Sequence, residues 1–545
     1  MTDPRRAAQV ATAVLAVAIV GLPLAALVGV AVEDGPAGLA RSLGGPLALT
    51  AVINTIWTSA TVAILATVTG TAAALLTERW AGSARTRLRA LLLAPLIVPP
   101  FVLAFGWSRA FGPRGLTDQL LGLELPGLYG PLGIVLVVTV AATPLTYLVV
   151  AGALGSRVEA DLELASRAAG AGPLTTLRTV TLPLLRPALA SAAVVAFVFA
   201  ANAFGVPAVL GSPAGFATIT TRLYQDLAFS ADPAAFQRAT ALATTLVVLA
   251  VVVVGGADAL IGRRRDQRTG LPSGSGRSGI ANRLALGVVG LVLVATTVVP
   301  FVALVLAALT RAAGLAPVPE NWSLANFGDA IDARFVGGLA RSLGLAVAAA
   351  TIVLGLGAVA AVAARSRRSG VLGTAVTLGF AIPGSALAVA VLLAYGGWLR
   401  DTLALILVAY LAKFWALGHR QLAGSLDRLP GDLVRAARAS GAGPLATLAT
   451  VVGPILRPSL AAGWLLVFVF AIHELTMSSL LYGPGTATLA VVVLGVQQLG
   501  DPGVSAALAV LLTAIVALAA VPLLALRGAG FDARANAGAP PGAVT

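Results

Sequence analysis

The sequence predicts an all-α protein that crosses a membrane about twelve times, arranged as two parallel six-helix halves. Three observations carry this reading: the composition, the spacing of apolar runs, and a segment that occurs twice. Of 545 residues, 58% are hydrophobic and 11% charged, against roughly 45–50% and 25% in soluble globular chains. A bilayer core needs roughly 20 apolar residues per helix. About twelve runs meet that need, beginning near Ala8, Leu49, Leu88, Gly130, Ala188, Ala239, Leu284, Gly344, Val371, Thr402, Ser459 and Val504. "GAGPLTTLRTVTLPLLRPAL", from Gly170, recurs as "GAGPLATLATVVGPILRPSL" from Gly441.

Taken in order, the first run follows "MTDPRR" and reads "AAQVATAVLAVAIVGLPLAALVGVAV". That far exceeds the roughly 7–15 residues of a secretory signal core, so a retained first helix is expected. Between runs no segment is long enough for a soluble domain. A formal charge of +14 would point to nucleic acid in a soluble protein, but here the arginines gather in alternate connections. These are "RR" at the start, "ERWAGSARTRLR", the segment after Arg157, "RRRDQR", "ARSRRSG" and the loop from Arg420 to Arg457. The positive-inside rule makes them cytoplasmic, with both termini inside; their electrostatic partner is the anionic lipid of the membrane, and no nucleic-acid partner is expected. Most remaining acids lie in the opposite connections, and the segments Pro317–Phe335 and Gly211–Gln237 are expected to face an external partner. Cysteine is absent and only His419 and His473 exist, which excludes thiolate and polyhistidine metal sites.

The duplication extends beyond the opening pair. Asp161, Gly170, Pro173, Pro183, Arg186 and Pro187 recur 271 residues later as Asp432, Gly441, Pro444, Pro454, Arg457 and Pro458. Pro99 in "LIVPPFVLAF" matches Pro383 in "FAIPGSALAV". "GLARSLG" at Gly38 and Gly338 is out of register with the rest and is set aside as coincidence. The polar Gly/Ser-rich stretch "RRRDQRTGLPSGSGRSGIANR" reads as a flexible linker. The organisation is therefore 1–262 as a first half (core about 50–260), 263–283 as a cytoplasmic linker and 284–545 as a second half (core about 340–527). An even number of spans per half makes the repeats parallel, about an axis along the membrane normal.

Each copy of the repeat reads as two short helices on the cytoplasmic face. "VEADLELASRAA" is helix-compatible and ends at Gly170, a residue suited to a helix C-cap. Pro173 fits the first position of a second helix, Pro183 ends it, and Arg186 with Pro187 opens the next membrane span. A long ordered loop in a bundle of short connections is usually functional, so each copy is expected to be a docking knob for a two-fold partner.

These segments resemble the cytoplasmic coupling loop of importer-type ATP-binding-cassette permeases. That pattern runs Glu-Ala-Ala, three residues, Gly-Ala, then spaced Leu-Pro and Pro. Both copies match from the glycine onward, through Ala171 and Ala442, except that Gly453 stands where leucine precedes Pro454. Both depart at the glutamate, whose place is taken by Leu164 and Arg435, with Glu163 one residue out of register. The stretches "ANAFGVPAVLGSPAGFATITTRLYQD" and "HELTMSSLLYGPGTATLAVVVLGVQQLGDPG" look like ferric-iron permeases, and less closely like thiamine, polyamine and phosphonate permeases. The resemblance implies the fused MetI-like permease fold, and two ATPase subunits on the loops, which carry the ATP and magnesium. It also implies an extracytoplasmic binding protein, and no cofactor in this chain.

The phosphate-binding loop of a nucleotide motor needs lysine followed by Ser or Thr. The single lysine here, Lys413, is followed by Phe414, so the chain itself is not expected to be an enzyme. His473 and Glu474 align with Asn202 and Ala203, placing polar groups at one depth of each fifth helix. Asn202, Phe204, His473 and Glu474 are the candidate translocation-path residues, because intramembrane polar groups face the bundle interior or a water-filled route; an interhelical hydrogen-bond lock is the equal alternative. No metal ligands are assigned. The rival class is a proton- or sodium-coupled carrier with Glu474, Asp258 and Lys413 as relays, and an ATPase that co-purifies with the chain separates the two.

Overall fold

Where no water reaches the backbone, each segment must close its own hydrogen bonds, and a computed structural model of the chain does so with helices. It describes residues 14–33, 35–80, 84–156, 160–261, 280–312, 314–364, 382–426 and 431–537. Among these there is no strand, only one isolated antiparallel bridge between Thr310 and Trp322. Ten described helices are long and apolar enough to cross a membrane. An eleventh candidate is the pair Arg85–Ile97 and Pro100–Leu121, bent by 93°. The run from Leu88 is thus broken where Pro99 and Pro100 withhold two amide donors and hold Val98 extended, at φ −86° and ψ 121°. The run from Val371 lies outside the described residues up to 381, as does most of the expected linker, 262–279.

Two compact units divide the chain. The first comprises Val30–Ile331 and Gly495–Val510. Its centre is a triangle of helices: α1 (Pro46–Leu75), α2 (Pro131–Ser156) and the fifth-span helix Leu182–Ala201. Gly70 lets α1 approach α2 so closely that an added Cβ would lie 2.0 Å from Thr146 Oγ1. Thr146 Oγ1 donates across the crossing to the Ala66 carbonyl at 2.6 Å. Small residues and hydroxyls of this kind hold helices together where burying apolar surface gains little. Between α2 and the fifth-span helix, α5 (Leu182–Ala201), lie α3 (Ala160–Ala168) and α4 (Pro173–Thr176); α6 (Ile219–Ala228) and α7 (Ala235–Ile261) follow α5.

The second unit comprises Met1–Gly29, Asp332–Leu494 and Leu511–Thr545. Its helices are α8 (Ala333–Ala364), α9 (Gly384–Leu399), α10 (Leu403–Leu426), α11 (Gly431–Ala439), α12 (Pro444–Thr447), α13 (Gly453–Ile472) and α14 (Thr476–Leu481), with the first part of α15 (Leu489–Gln498) and the part of α16 (Pro502–Ala537) from Leu511. Helices α8, α10 and α13 repeat the triangle. Gly357 repeats the close crossing, where an added Cβ would lie 2.7 Å from the backbone of Gly418.

The units do not coincide with the halves read from the repeat: each half's first span, and Gly495–Val510 of the second half, belong to the other half's unit. Val14–Val32 brings Ala16 and Val20 against Trp415 and Ala416, and Tyr395 donates its hydroxyl to the Ala18 carbonyl. The span Leu286–Leu309 packs on Pro100–Phe111, with Trp107 Nε1 donating to the Thr296 carbonyl at 2.9 Å.

Candidate functional site

The duplicated loops are built alike. Helix α3 ends at Gly170, with φ +88°, and α11 at Gly441, with φ +81°. In the first loop, the Gly170 amide donates to Arg167 and the Ala171 amide to Ser166, both at 3.0 Å. In the second, Gly441 donates to Arg438 and Ala442 to Ala437 at the same distance. This paired return closes the last carbonyls of a helix and needs a left-handed residue, which glycine supplies without steric cost. Pro173 and Pro444 then open α4 and α12, where a missing amide donor is free of consequence.

Beyond this point the structure corrects the sequence reading. Pro183 and Pro454 do not end a helix. A π turn, Leu177–Thr181 in one loop and Leu448–Val452 in the other, carries each short helix directly into α5 or α13. The Leu182 amide bonds back to the Leu177 carbonyl. The wider turn shifts the hydrogen-bond ladder by one residue just before the proline, so the ring meets no tight turn behind it. Arg186 and Arg457 remain exposed at the start of these spans, as snorkelling to an interface requires.

Side chains at the register of the family glutamate point outward. Leu164 is 59% exposed, and Arg435 pairs with Asp432, one turn earlier on the exposed face of α11. Glu163 turns inward. Its carboxylate accepts the Thr181 hydroxyl at 3.0 Å and lies 3.4 Å from Arg79 Nε. Asp161, Asp258 and Pro444 are described in backbone only.

The candidate path residues sit at breaks in the fifth spans. In the first unit, Asn202 closes α5 and donates Nδ2 to the Val198 carbonyl at 2.7 Å. Phe204, 1% exposed, packs edge-to-face on Tyr224. In the second unit, His473 closes α13 and stays half-buried. Glu474 accepts the Met477 and Ser478 amides at 2.9–3.0 Å and the Ser478 hydroxyl at 3.2 Å, capping α14. A carboxylate suits the exposed donors at a helix start. Ser478 also meets the Tyr410 hydroxyl at 2.7 Å, and Lys413 donates to the Ile382 carbonyl at 2.7 Å, just before the break at Pro383. The positions of Glu474 and Ser478 are held in the first half by Ala203 and Pro207, 271 residues earlier. This polar set therefore belongs to one half. Among the described residues no three His, Asp or Glu side chains gather as metal ligands.

Residues missed by sequence reasoning hold the short helices after each break. In the first unit, Asn54 Nδ2 donates to the Ala217 carbonyl at 2.9 Å, and the Ile219 amide donates to Thr55 Oγ1 at 2.8 Å. In the second, Arg341 Nε donates to the Ala487 carbonyl at 2.7 Å, and the Leu489 amide donates to Ser342 Oγ at 2.9 Å. The register here is 287 residues, which leaves the two "GLARSLG" copies unaligned. A polar pair about two turns inside the first core span of each half was the available signal. Most of Gly211–Gln237 is likewise not an open loop: α6 is buried on one face, and only residues 212–215 and 228–234 with their near neighbours reach the surface. Asp226 within it is fully buried between Arg222 and Arg238. In the exposed connections, the Ala234 amide and Arg238 hold the Asp232 carboxyl below its usual range, and Arg334 does the same for Asp332.

The sequence profile of the binding-protein-dependent transport system inner membrane components matches residues 66–266 and 352–529. The ferric transport system permease protein of Actinobacillus pleuropneumoniae is 26% identical over 494 residues, 87% of this chain and 70% of its own. A second ferric permease, from Haemophilus influenzae, is 25% identical over 88% of this chain and 91% of its own. The molybdenum transport system permease protein of Mycobacterium tuberculosis is 34% identical over 39% of this chain and 80% of its own.

Proposed function

Because this chain belongs to the family of binding-protein-dependent transport system inner membrane components, we propose that it imports ferric iron, received from a binding protein outside the membrane. It is a multi-pass inner-membrane permease subunit of an ATP-binding-cassette importer, a transport component rather than an enzyme. In our reading two ATPase subunits, which hold the ATP and magnesium, dock on the loops capped at Gly170 and Gly441. Both loops, both termini and the linker face the cytoplasm, following the arginine asymmetry. The single lysine followed by phenylalanine supports placing hydrolysis on a separate subunit. The exposed Pro317–Phe335 connection and the tips at 212–215 and 228–234 are the surfaces offered to the binding protein.

Coverage is the observation that favours iron. The two ferric relatives are matched across 87% and 88% of this chain, through both halves, whereas the molybdenum relative is matched across 39%. That shorter match has the higher identity, 34%, and makes molybdate import the second reading. The test is uptake of radiolabelled ferric iron and of molybdate by cells with and without the protein. Iron uptake that disappears on deletion while molybdate uptake persists supports the proposal; the reverse pattern overturns it.

A further inference from the structure

A docking helix transmits force only if it is fastened to the spans that must move. In the first loop the fastening is polar. Glu163, on the inner face of α3 and 14% exposed, accepts the Thr181 hydroxyl at the head of α5 and pairs with Arg79. Arg79 lies in the π turn Leu76–Trp80 that prolongs α1. Its neighbour Glu78 takes hydrogen bonds from Arg85, from Arg89 at 2.8 and 2.9 Å, and from the Tyr147 hydroxyl of α2 at 3.1 Å. Ser166 and Thr176 also link α3 to α4, at 3.1 Å. One docking helix is thereby tied to α1 and α5 directly and to α2 through the adjoining residue.

The second loop has the same backbone and different chemistry. The positions of Glu163 and Thr181 are held 271 residues later by Val434 and Val452, and that of Ser166 by Ala437. Val434 is half-buried on α11, as Glu163 is on α3, and α11 packs on the π turn that contains Val452. We propose that Glu163 is a positioning residue that latches the first docking helix to the membrane spans, and that an aliphatic contact does this in the second half. The inference rests on the docking role given to these loops above. Leu164 and Arg435, which face outward, meet the motor; Glu163 does not.

The two roles separate experimentally. Complexes are purified from native membranes carrying Glu163→Ala, and scored for ATPase recovered, ATP hydrolysed and radiolabelled ferric iron taken up by vesicles. Recovery is expected to be unchanged, with uptake per ATP falling about tenfold, the scale of a residue that couples sites without touching either ligand. Glu163→Gln, which keeps a partner for Thr181, falls less. Glu163→Val behaves like Glu163→Ala, and the pair Glu163→Val with Thr181→Val, which writes the second half's contact into the first, recovers most of the loss. Membrane abundance monitors folding throughout. Loss of the ATPase from Glu163→Ala would make Glu163 a motor contact and overturn the latch, as would unchanged uptake per ATP. A double variant no better than Glu163→Val overturns the aliphatic equivalence. A wild-type complex without ATPase sinks the functional reading itself, and the latch with it.

Discussion

At the scale of single residues, the two loop glycines were legible and the glutamate's direction was not. A helix ending before Gly-Ala-Gly-Pro has few ways to turn, and the left-handed turn is open to glycine at no cost, so the sequence already implied the cap. Around a helix, by contrast, one residue is a rotation of about 100°, enough to send Glu163 inward and Leu164 outward. Nothing in the local string decides that phase; packing against Thr181 and Arg79 does. Nor could the string reveal that Glu474 caps α14, since that use of its carboxylate depends on where α13 breaks. The caps yield a sharp prediction. An added Cβ at Gly170 or Gly441 would meet nothing within 4 Å, so a substitution there is penalised through the backbone alone. Gly170→Val should cost about 1–2 kcal/mol at the cap and mis-aim α4, while Gly170→Asn, tolerant of the left-handed region, should cost little. Import by the valine variant should fall with membrane abundance near normal. Equal import by both variants would mean the cap does not aim the loop.

Elements show a second layer that sequence reading reached only in part. Hydropathy located ten of the twelve runs as spanning helices, because length and apolarity suffice for that. The proline breaks came out differently: Pro99 interrupts a span, whereas Pro183 and Pro454 are absorbed by π turns. Both outcomes obey the same constraint on a missing donor, and the choice between them rests on tertiary contacts. Helix crossings are the most testable feature at this scale. Gly70 and Gly357 occupy equivalent closest approaches of α1 to α2 and of α8 to α10, each with less than 3 Å of room for a Cβ. Gly70→Leu or Gly357→Leu should therefore force the helices apart and destabilise its unit by about 3 kcal/mol. Thermal unfolding of the purified variants in detergent would register the loss, and an unchanged midpoint would show that the crossing is looser than described.

For the whole molecule, internal repetition revealed a two-half permease but not how spans are shared. The repeat begins after the first run of each half, and a span apolar on every side carries no mark of the bundle it joins; hence the exchange of Val14–Val32 and Leu286–Leu309 between units was invisible. The polar sets of the two halves also differ, with Glu474, Ser478, Tyr410 and Lys413 in one and Ala203 and Pro207 at the matching places in the other. Duplication of the loops supports the proposed two-copy assembly, since each carries the same cap, the same proline start and the same π turn. The direct measurement is the native mass of the complex isolated from its own membranes, for the wild type and for Gly170→Val and Gly441→Val separately. One chain bearing two ATPase copies, falling to one copy in either variant, is the predicted result; a chain that carries no ATPase, or that keeps both copies when either glycine is replaced, would contradict it.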